Sequence, residues 1–498
     1  MQKILIVGGG SAGWMTAALF GKLFQGLYDV ELVESEAIGI VGVGEATIPA
    51  IKKYNELVQL DEVEFMQRTQ ATFKLGVQFV DWWKKGHSYI HGFGVIGQDW
   101  EWLRCHHYWL RANQKGRARD FADYSINTAA ALQNKFMHAR ADMGDSPIGH
   151  IAYAYHFDAS LYGRYLRGLA EQHGVRRTEG KIVDVGMHEN GDIASVTLED
   201  GRKIEADFFI DCSGFRGLLI EQKLETGYEE WTHWLPCDRA IAVPCERTGP
   251  LVPLTRATAR EAGWQWRIGL QHRTGNGHVY SSRYIDDDAA EAVLLANLDG
   301  EQAGNPNRIR FTPGKRRKMW NRNCVAIGLA AGFLEPIEST SLHLVQSAAI
   351  RLVRLFPDGH TDQANRDEFN RQCDFEWERV RDFIILHYWA NQRDDSDLWR
   401  YCRTMELPAT LQRKIDLWRS NGRIFREDEE LFSEESWIQV FLGQGVVPRS
   451  HDPLVGIKSD PQIEQFLGNI ASTIDRCVQV MPDHAEYVRK YCQAEPVA

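Results

Sequence analysis

The chain has little of what marks a disulfide-bonded, membrane-spanning or nucleic-acid-binding protein. Its nine cysteines are an odd number and form no C-x-x-C pair, which excludes a disulfide framework and a zinc ribbon. The 57 Lys and Arg against 68 Asp and Glu give a net charge of −11, which is unsuited to a polyanionic partner. No apolar run approaches the roughly 20 residues that cross a bilayer, and we expect no signal peptide in the first residues. We predict a cytoplasmic protein with free thiols, no metal site, no nucleic-acid partner and no membrane contact.

The composition is otherwise that of a large globular protein rich in tryptophan. Its 498 residues correspond to about three domain-sized units. The 16 tryptophans fit either aromatic packing in a core or a pocket for a flat ligand. Hydrophobic patterning predicts strands over residues 3–7, 30–33, 182–198, 203–210, 241–244, 264–270 and 278–283, the last three in an antiparallel sheet. Helices are expected over residues 14–24, about 50–79, and from 365 onward.

The strongest local signal is a glycine-rich turn between the first strand and the first helix. Residues 8–13 read GGGSAG and match G-x-G-x-x-G. In such a turn Gly8 permits the tight bend, Gly10 lets a pyrophosphate approach the backbone, and Gly13 lets helix and strand pack closely. Glu34 ends the second strand, 21 residues after Gly13, where a carboxylate can accept both ribose hydroxyls. Together these features predict a dinucleotide site, with a ligand-free glycine turn as the plain alternative.

Two later segments favour FAD over NAD as the dinucleotide. Residues 208–214 read FFIDCSG, a strand followed by a small-residue turn. Residues 324–328 read CVAIG, a further strand that ends in glycine and precedes residues 330–332 and a helix. A flavin-binding sheet assembled from distant parts of the chain uses such returns, whereas a single nicotinamide fold does not need them.

Further motifs resemble those of the flavin-dependent halogenases typified by tryptophan halogenase. The matching segments are residues 8–14 (GGGSAGW), 42–49 (GVGEATIP), 73–74 (FK), 264–268 (WQWRI) and 333–340 (FLEPIEST). The resemblance extends from the N-terminus to about residue 400 and is weaker beyond it.

The resemblance implies an α/β protein with a two-domain, Rossmann-like FAD-binding sheet of the glutathione-reductase/hydroxylase type, a second antiparallel sheet and a helical C-terminal region. It places an FAD-binding and halogenation module in residues 1–360, with Rossmann-type halves at 1–50 and at 150–220 with 320–350, and inserted substrate-facing segments at 75–150 and 225–315. Residues 361–498 would then cover the substrate.

The resemblance also implies the reaction and its partners. FADH2 from a separate NAD(P)H-dependent flavin reductase, together with O2 and a halide (bromide or chloride), yields hypohalous acid. The acid travels through a tunnel to Lys74, which holds it by a hydrogen bond or as a haloamine while an electron-rich aromatic ring attacks the halogen. Glu338 would orient the oxidant and take the proton from the ring. A homodimer is compatible with this resemblance.

The site residues implied by the resemblance fall into five groups. The catalytic residues are Lys74 and Glu338, and the cofactor-binding residues are Gly8, Gly10, Ser11, Ala12, Gly13, Glu34, Val43, Gly44, Glu45, Ala46, Thr47, Gly328 and Ser339. Thr340 and Ser341 would bind halide. The substrate would contact Ile48, Pro49, His91, Phe93 and Trp437, and the flavin tunnel would be lined by Trp264, Trp266 and Ile268.

Three departures from the family pattern bear on the substrate and the halide. Gly269 follows Ile268 where the motif has proline, and Ser341 follows the S-T pair where the family has glycine. The altered halide segment makes a preference for bromide a hypothesis. The C-terminal segment, residues 434–443, is short and has no Tyr-Tyr pair to grip an amino-acid backbone. We therefore expect free tryptophan to be a poor substrate, and indole or another electron-rich aromatic to be a better one.

Two other functions stay open at this point. A flavin-dependent aromatic monooxygenase shares the glycine motif, although it would not need Lys74 and usually binds NAD(P)H itself. A flavin-binding relative that does not halogenate would explain the changes at Gly269 and Ser341. Taken singly, Lys74 could be a solvated helical lysine, and Trp264 and Trp266 could be ordinary core residues.

Overall fold

The structure is a computed structural model that describes residues 2–38, 44–357 and 363–496. The chain divides into two compact units. Unit 1 contains Met1–Ala71, Phe157–Thr232 and Arg310–Glu378, and unit 2 contains Thr72–His156, His233–Ile309 and Arg379–Ala498. Within the described ranges, no helix is both long enough and apolar enough to span a bilayer.

The strands are β1 Lys3–Val7, β2 Asp29–Glu34, β3 Gly44–Ala46, β4 Thr72–Lys74, β5 Gly76–Val80, β6 Ser88–Gly92, β7 Ala154–Asp158, β8 Arg176–Glu179, β9 Ile182–Met187, β10 Ile193–Leu198, β11 Lys203–Glu205, β12 Phe208–Asp211, β13 Tyr228–Glu230, β14 Arg239–Cys245, β15 Leu254–Arg260, β16 Gly263–Gly269, β17 Thr274–Tyr280, β18 Asn307–Arg310, β19 Gly314–Arg316, β20 Trp320–Asn321, β21 Cys324–Ala326 and β22 Gly332–Phe333.

The helices are α1 Ser11–Phe24, α2 Ile51–Leu57, α3 Glu62–Arg68, α4 Cys105–Gln114, α5 Ile126–Leu132, α6 Ala159–Gln172, α7 Asp287–Leu295, α8 Ser341–Arg354, α9 Gln363–Trp389, α10 Asp397–Thr404, α11 Ala409–Asn421, α12 Glu434–Gly443, α13 Asp460–Gln479 and α14 His484–Tyr491.

Unit 1 is built on a sheet with the strand order β20-β21-β12-β1-β2-β8. Strand β1 pairs in parallel with β2 on one side and with β12 on the other, and β12 pairs in parallel with β21. Ile4, Leu5 and Ile6 in the middle strand are fully buried, as expected for a parallel strand with both faces covered. The predicted β-α-β unit and the two later strands that return to it are therefore confirmed.

Helix α1 packs against α6 and α8 on this sheet. A helix follows β21 as expected, but only after a short 3₁₀ turn, Gly328–Ala330, and a further loop, since α8 begins at Ser341. Gly332 has a φ of +154° and Ser339 a φ of +59°, and neither angle is compatible with a continuous helix. The intervening F-L-E-P-I-E-S-T segment is a loop that leads into the N-terminus of α8.

Unit 2 contains a sheet in which six consecutive strands run in the order β14-β17-β16-β15-β5-β6. Strands β14 to β17 pair antiparallel, which confirms the predicted antiparallel sheet. Strand β15 pairs in parallel with β5, and β5 pairs antiparallel with β6. Strand β4 pairs antiparallel with β7, with Lys74 opposite Ala154.

The helix predicted over about residues 50–79 is wrong beyond Arg68. The chain leaves α3 through Gln70, which has a φ of +56°, and then forms β4 and β5. Gly76 lies so close to β6 that an added Cβ would meet the carbonyl oxygen of His91 at 2.4 Å. Lys74 therefore lies on a strand, and this placement follows from pairing with β7, which is distant in sequence. The predicted helical C-terminal third is confirmed by α9 to α14.

Candidate active-site residues

The glycine-rich turn of unit 1 is held at close range by two other segments of that unit. Gly8 has a φ of +112°, and a Cβ there would lie 2.3 Å from the carbonyl oxygen of Cys212. A Cβ on Gly13 would lie 1.8 Å from the carbonyl oxygen of Gly8, so helix α1 starts in contact with the turn. A Cβ on Gly10, by contrast, would meet no atom within 4 Å. The turn is therefore closed on its protein side and open above Gly10, as a pyrophosphate site requires.

The N-terminus of α1 has no side-chain cap within the described part of the chain. Its N-cap, Gly10, makes no side-chain cap, and no acidic residue occupies its first turn. The amides of Ser11 and Ala12 belong to the first turn of the helix, whose N–H groups have no partner within the helix. A Cβ on Gly328 would lie 2.6 Å from the Cβ of Ala12, so the turn after β21 also reaches this helix end. Aligned N–H groups and the helix dipole favour a phosphate here.

Glu34 extends from the end of β2 over the glycine turn. Its Oε2 lies 1.5 Å from the point where a Cβ on Gly9 would be, so only glycine fits beneath the carboxylate. Its Oε1 accepts a hydrogen bond of 2.6 Å from Nε of Arg177, whose guanidinium also binds Glu36 and Glu179. The arginine orients the carboxylate beside the turn, where a ribose of a bound dinucleotide would lie.

The predicted strap loop is described only in part. Val43 lies outside the described residues, while Gly44, Glu45 and Ala46 form the short strand β3. Burial raises the pKa of the Glu45 carboxyl to about 7. Thr47 and Ile48 are buried and Pro49 is half-buried just before α2.

The predicted halide segment forms the approach to the N-terminus of α8. Ser339 adopts the left-handed conformation and donates its backbone N–H to the carbonyl of Pro336 at 3.0 Å. Thr340 is the N-cap and Ser341 the first helical residue, and no side chain caps this end. Glu338 and Thr340 are fully buried, and the Thr340 hydroxyl has no hydrogen-bond partner within the described residues. The start of this 14-residue helix therefore has uncapped N–H groups, an arrangement that favours negative charge.

Lys74 is the most unusual residue of unit 2, because a fully buried lysine is rare in proteins. Its Nζ lies 5.2 Å from the ring centroid of Phe93, which follows β6. Cation–π contacts act within about 6 Å and are worth about 2 kcal/mol when desolvated. Unit 2 thus places a lysine head group against the aromatic ring that sequence analysis assigned to the substrate site.

His91 of β6 is buried within a cluster of aromatic side chains from the C-terminal region. Its ring centroid lies 5.8 Å from that of Phe383 and 6.4 Å from that of Phe432, and these two phenylalanines stack at 3.8 Å. Trp437 contacts Phe383 edge-on at 4.8 Å, and its indole N–H donates to Glu430 at 3.1 Å. Phe383 therefore connects two predicted substrate residues, His91 and Trp437.

Trp264, Trp266 and Ile268 lie on one face of β16. All three are buried, and the two indole centroids are 6.2 Å apart. Trp266 lies across β17 over Gly277, where an added Cβ would be 2.0 Å from the indole. The predicted tunnel residues thus form one aromatic wall, whose close packing needs a glycine on the next strand.

Two glutamine side chains, one on helix α12 and one directly after it, are bonded to β6. Gln439 accepts the backbone N–H of Gly92 at 3.0 Å and donates to the carbonyl of Gly92 at 3.1 Å. Gln444 accepts the hydroxyl of Tyr89 at 2.8 Å. These amides are therefore already engaged with the strand that carries His91.

Sequence reasoning missed several residues beside the glycine turn of unit 1 and around His91 in unit 2. Arg177, Phe383, Phe432 and Gln439 carry no local motif, because each is brought to its partner by an element far away in sequence. The one available signal was the pair Arg176-Arg177 on a strand, an unusual place for two arginines.

A Rossmann-type sheet with an open glycine turn, and a second unit with a buried lysine among aromatic rings, together define a flavin-dependent oxidoreductase. The sequence profile of the tryptophan halogenase family matches residues 3–460, and the chain belongs to that family. It is thus a flavin-dependent halogenase that uses FADH2, O2 and halide and depends on a separate flavin reductase.

Individual relatives agree with this assignment. Tryptophan 7-halogenase RebH from Lentzea aerocolonigenes is 32% identical over 527 residues, with 98% of each chain covered. A flavin-dependent halogenase from Xanthomonas campestris is 48% identical, with a TM-score of 0.97 over 100% of this chain and 99% of that chain. BrvH, a flavin-dependent halogenase from Brevundimonas sp. BAL3, is 44% identical, with a TM-score of 0.95 over 99% of each chain. The predicted family, FAD-binding fold and cofactors are confirmed.

Proposed function

We propose that the chain halogenates a small electron-rich aromatic such as indole, with Lys74 presenting the halogen to the ring. The observation that carries this proposal is the fully buried Lys74, whose Nζ lies 5.2 Å from the centroid of Phe93. An ammonium donates hydrogen bonds that polarise the O–X bond of hypohalous acid, and its amine form can carry the halogen. A ring held beside it then reacts by electrophilic substitution, so that positioning provides much of the rate.

The residues of unit 1 would hold the flavin and the halide. The Gly8–Gly13 turn would take the pyrophosphate and Glu34 the ribose. FADH2, when bound, would supply the two electrons that reduce O2 to the peroxide level, at which its oxygen can take two electrons from the halide to give hypohalous acid and water. The residues at the start of α8 would bind the halide through their N–H groups. For Glu338 we propose that its buried carboxylate orients the oxidant and accepts the ring proton.

For the substrate, we propose indole-like rings in preference to free tryptophan. Recognition of a zwitterion requires polar groups that are free to pair with it. The amides of Gln439 and Gln444 are bonded to β6, and Glu434 and Glu435 both pair with Arg104. Relatives such as RebH bear the name of tryptophan halogenases, so tryptophan is the alternative substrate.

For the halide, we propose a preference for bromide. Ser341 occupies the position after the Ser339-Thr340 pair and begins α8, so its side chain adds bulk and polarity to the edge of the halide segment. Its backbone is not in the left-handed region, so a serine there introduces no strain. The variant Ser341→Gly should lower the ratio of brominated to chlorinated product. An unchanged ratio would remove Ser341 from the explanation.

Mass spectrometry of indole reactions with FAD, NADH, a flavin reductase and bromide or chloride tests this function. The wild type should give the isotope pattern of a halogenated indole. Lys74→Met keeps the length of the side chain without its charge, so it should lose this product while still releasing free hypohalous acid.

A product heavier by one oxygen atom would indicate an aromatic monooxygenase. Equal halogenation by Lys74→Met would show that the lysine has no role, and absence of hypohalous acid from both proteins would indicate a flavin-binding protein that does not halogenate.

A further inference from the structure

A chain of three buried polar side chains lies next to Lys74 in unit 2. His156 on β7 is fully buried, and its Nε2 lies 2.8 Å from the hydroxyl of Thr255 on β15. Its Nδ1 lies 3.3 Å from the hydroxyl of Thr72 on β4. The Thr72 hydroxyl in turn lies 2.7 Å from the carbonyl oxygen of Gly269, at the end of β16.

The direction of each hydrogen bond in this chain follows from counting protons. A carbonyl can only accept, so Thr72 donates its single hydroxyl proton to Gly269. Thr72 must then accept from Nδ1 of His156, which fixes the proton on that nitrogen. Burial and the nearby charge of Lys74 lower the pKa of His156 well below its usual value, and the neighbouring His484 imidazole acts in the same direction. The ring is therefore neutral, and its Nε2 accepts the hydroxyl proton of Thr255.

The chain acts on the strand that carries Lys74. Side chains two residues apart on a strand share a face, so Thr72 and Lys74 project to the same side of β4. His156 is the cross-strand partner of Thr72 and the diagonal neighbour of Lys74, whose direct partner is Ala154. Strand β4 has only three residues, so these side-chain bonds add to the backbone pairing with β7 in fixing its position.

The other end of the chain lies on the aromatic face of the larger sheet. Along β15, Thr255 shares a face with Ala257, which is the cross-strand partner of Trp266. Gly269 directly follows Ile268. The three side chains therefore connect the strand of Lys74 to the face formed by Trp264, Trp266 and Ile268.

We propose that His156, as a neutral imidazole bonded to both Thr72 and Thr255, is a positioning residue for Lys74. The proposal rests on the proposed role of Lys74 in halogen transfer. Its neutral form also keeps a second positive charge away from the lysine. A lysine that moves off the path of the substrate ring would fail to hold hypohalous acid, which would then escape into solution.

The variant Thr255→Val tests this proposal because it keeps the shape of the side chain and removes only the donor to Nε2. We expect kcat for indole halogenation to fall about 10- to 100-fold, as for a small misplacement of a reacting group. KM for indole and FAD binding should stay unchanged, while free hypohalous acid per flavin oxidised should rise. Thr255→Ser restores the hydroxyl and should restore kcat.

A matched control separates this effect from the general loss of a buried hydroxyl. Thr69→Val removes a hydroxyl that is equally buried but donates at 2.7 Å to the carbonyl of Phe65 in unit 1. If Thr255→Val and Thr69→Val share the same kcat and the same release of hypohalous acid, the proposal is overturned.

The tautomer of His156 provides a readout that does not depend on halogenation. Nitrogen-15 NMR of histidine-labelled protein, assigned with His156→Phe, should show a neutral ring with the proton on Nδ1. A charged ring, or a proton on Nε2, would overturn the proposal even if Lys74 acts as described. Full halogenation by Lys74→Met would instead contradict the proposed function, and the NMR result would stand separately.

Discussion

Gln439 binds both backbone groups of Gly92, since its side-chain oxygen accepts the N–H at 3.0 Å and its nitrogen donates to the carbonyl at 3.1 Å. A single side chain thereby satisfies the last residue of β6, between His91 and Phe93. Helix α12 is thus held to the strand of the proposed substrate site by an amide that mimics a strand partner. The same bonds occupy a group that could otherwise have recognised an amino acid.

Replacement of Gln439 should weaken the attachment of helix α12 to β6, the strand that carries His91. Gln439→Met keeps the volume but leaves two buried backbone groups of Gly92 without a partner, at a cost of about 1–3 kcal/mol each. We expect a lower melting temperature and a higher KM for indole. Gln444→Met is the control, because Gln444 bonds to Tyr89 and to carbonyls of α9 and its end but not to Gly92. If KM responds equally to both changes, the contact with Gly92 has no special role.

The orientation of Glu34 should determine the affinity for FAD. Glu34→Gln removes a charged acceptor beside the glycine turn, and hydrogen bonds to charged groups are worth about 1.5–3 kcal/mol. We therefore expect a dissociation constant for FAD that is about 10- to 100-fold higher, measured by flavin fluorescence. The control Glu36→Gln removes an exposed carboxylate that pairs with the same Arg177. If both variants lose the same affinity for FAD, the effect comes from the shared partner Arg177 and not from the Glu34 carboxylate.

Glu376 should stabilise the helix that begins at the halide segment. It accepts hydrogen bonds from His343 at 2.9 Å, Ser347 at 2.8 Å and Arg351 at 3.0 Å, all on α8. Burial would raise the pKa of this carboxyl, but these three partners outweigh it and lower the pKa to about 2. Because the folded-state pKa lies below the unfolded value of 4.5, this stabilisation is full above pH 4.5 and is lost as the pH falls towards 2.

The substitution Glu376→Gln removes this charge and should disturb the halide segment. We expect a higher KM for bromide and a lower melting temperature at pH 7, with a difference from the wild type that disappears towards pH 2. A similar change at the exposed Glu368, which pairs with Arg371 in the first part of α9, should leave KM for bromide unchanged. An unaltered KM in Glu376→Gln would contradict a role in halide binding.

Buried neutral histidines should make the protein sensitive to mild acid. Burial lowers the pKa of His107, His278 and His484 to about 4, against opposing effects of Asp452 and of backbone carbonyls. Because each folded-state pKa lies below the unfolded value of 6.5, the unfolded chain binds more protons between pH 6.5 and 4. The free energy of unfolding should therefore decrease as the pH falls from 6.5 to 4, by about 1.4 kcal/mol per pH unit for each histidine.

Urea unfolding between pH 7 and 4.5 measures this loss of stability. The variant His278→Phe removes one of these groups and should flatten the dependence on pH. A free energy of unfolding that is constant over the same range would show that these rings are not buried in the neutral form.

The sequence predicted correctly those elements whose structure depends on residues nearby in the chain. The glycine turn, the first helix and the strand ending at Glu34 form one local unit, and their bounds agree with prediction to within a few residues. Strand β4 was not predictable in this way, because three residues cannot show a period and the pairing partner of Lys74 is Ala154. Arg177 was missed for the same reason, since β2 and β8 meet across more than a hundred residues.

The family motifs predicted more of the candidate site than periodicity did. Lys74, His91 and Phe93 were assigned by resemblance, and all three are buried in unit 2. The aromatic partners of His91, Phe383 and Phe432, carry no signature because their roles depend on the packing of helices that follow no motif.

A competition reaction tests the central claim most directly. Equal concentrations of indole and free tryptophan are incubated with the enzyme, FAD, NADH, a flavin reductase and bromide, and both products are quantified by mass spectrometry beside Lys74→Met. We predict brominated indole in large excess over brominated tryptophan, and neither product from the variant. Bromination of tryptophan in excess, or products from Lys74→Met at the level of the wild type, would contradict this account.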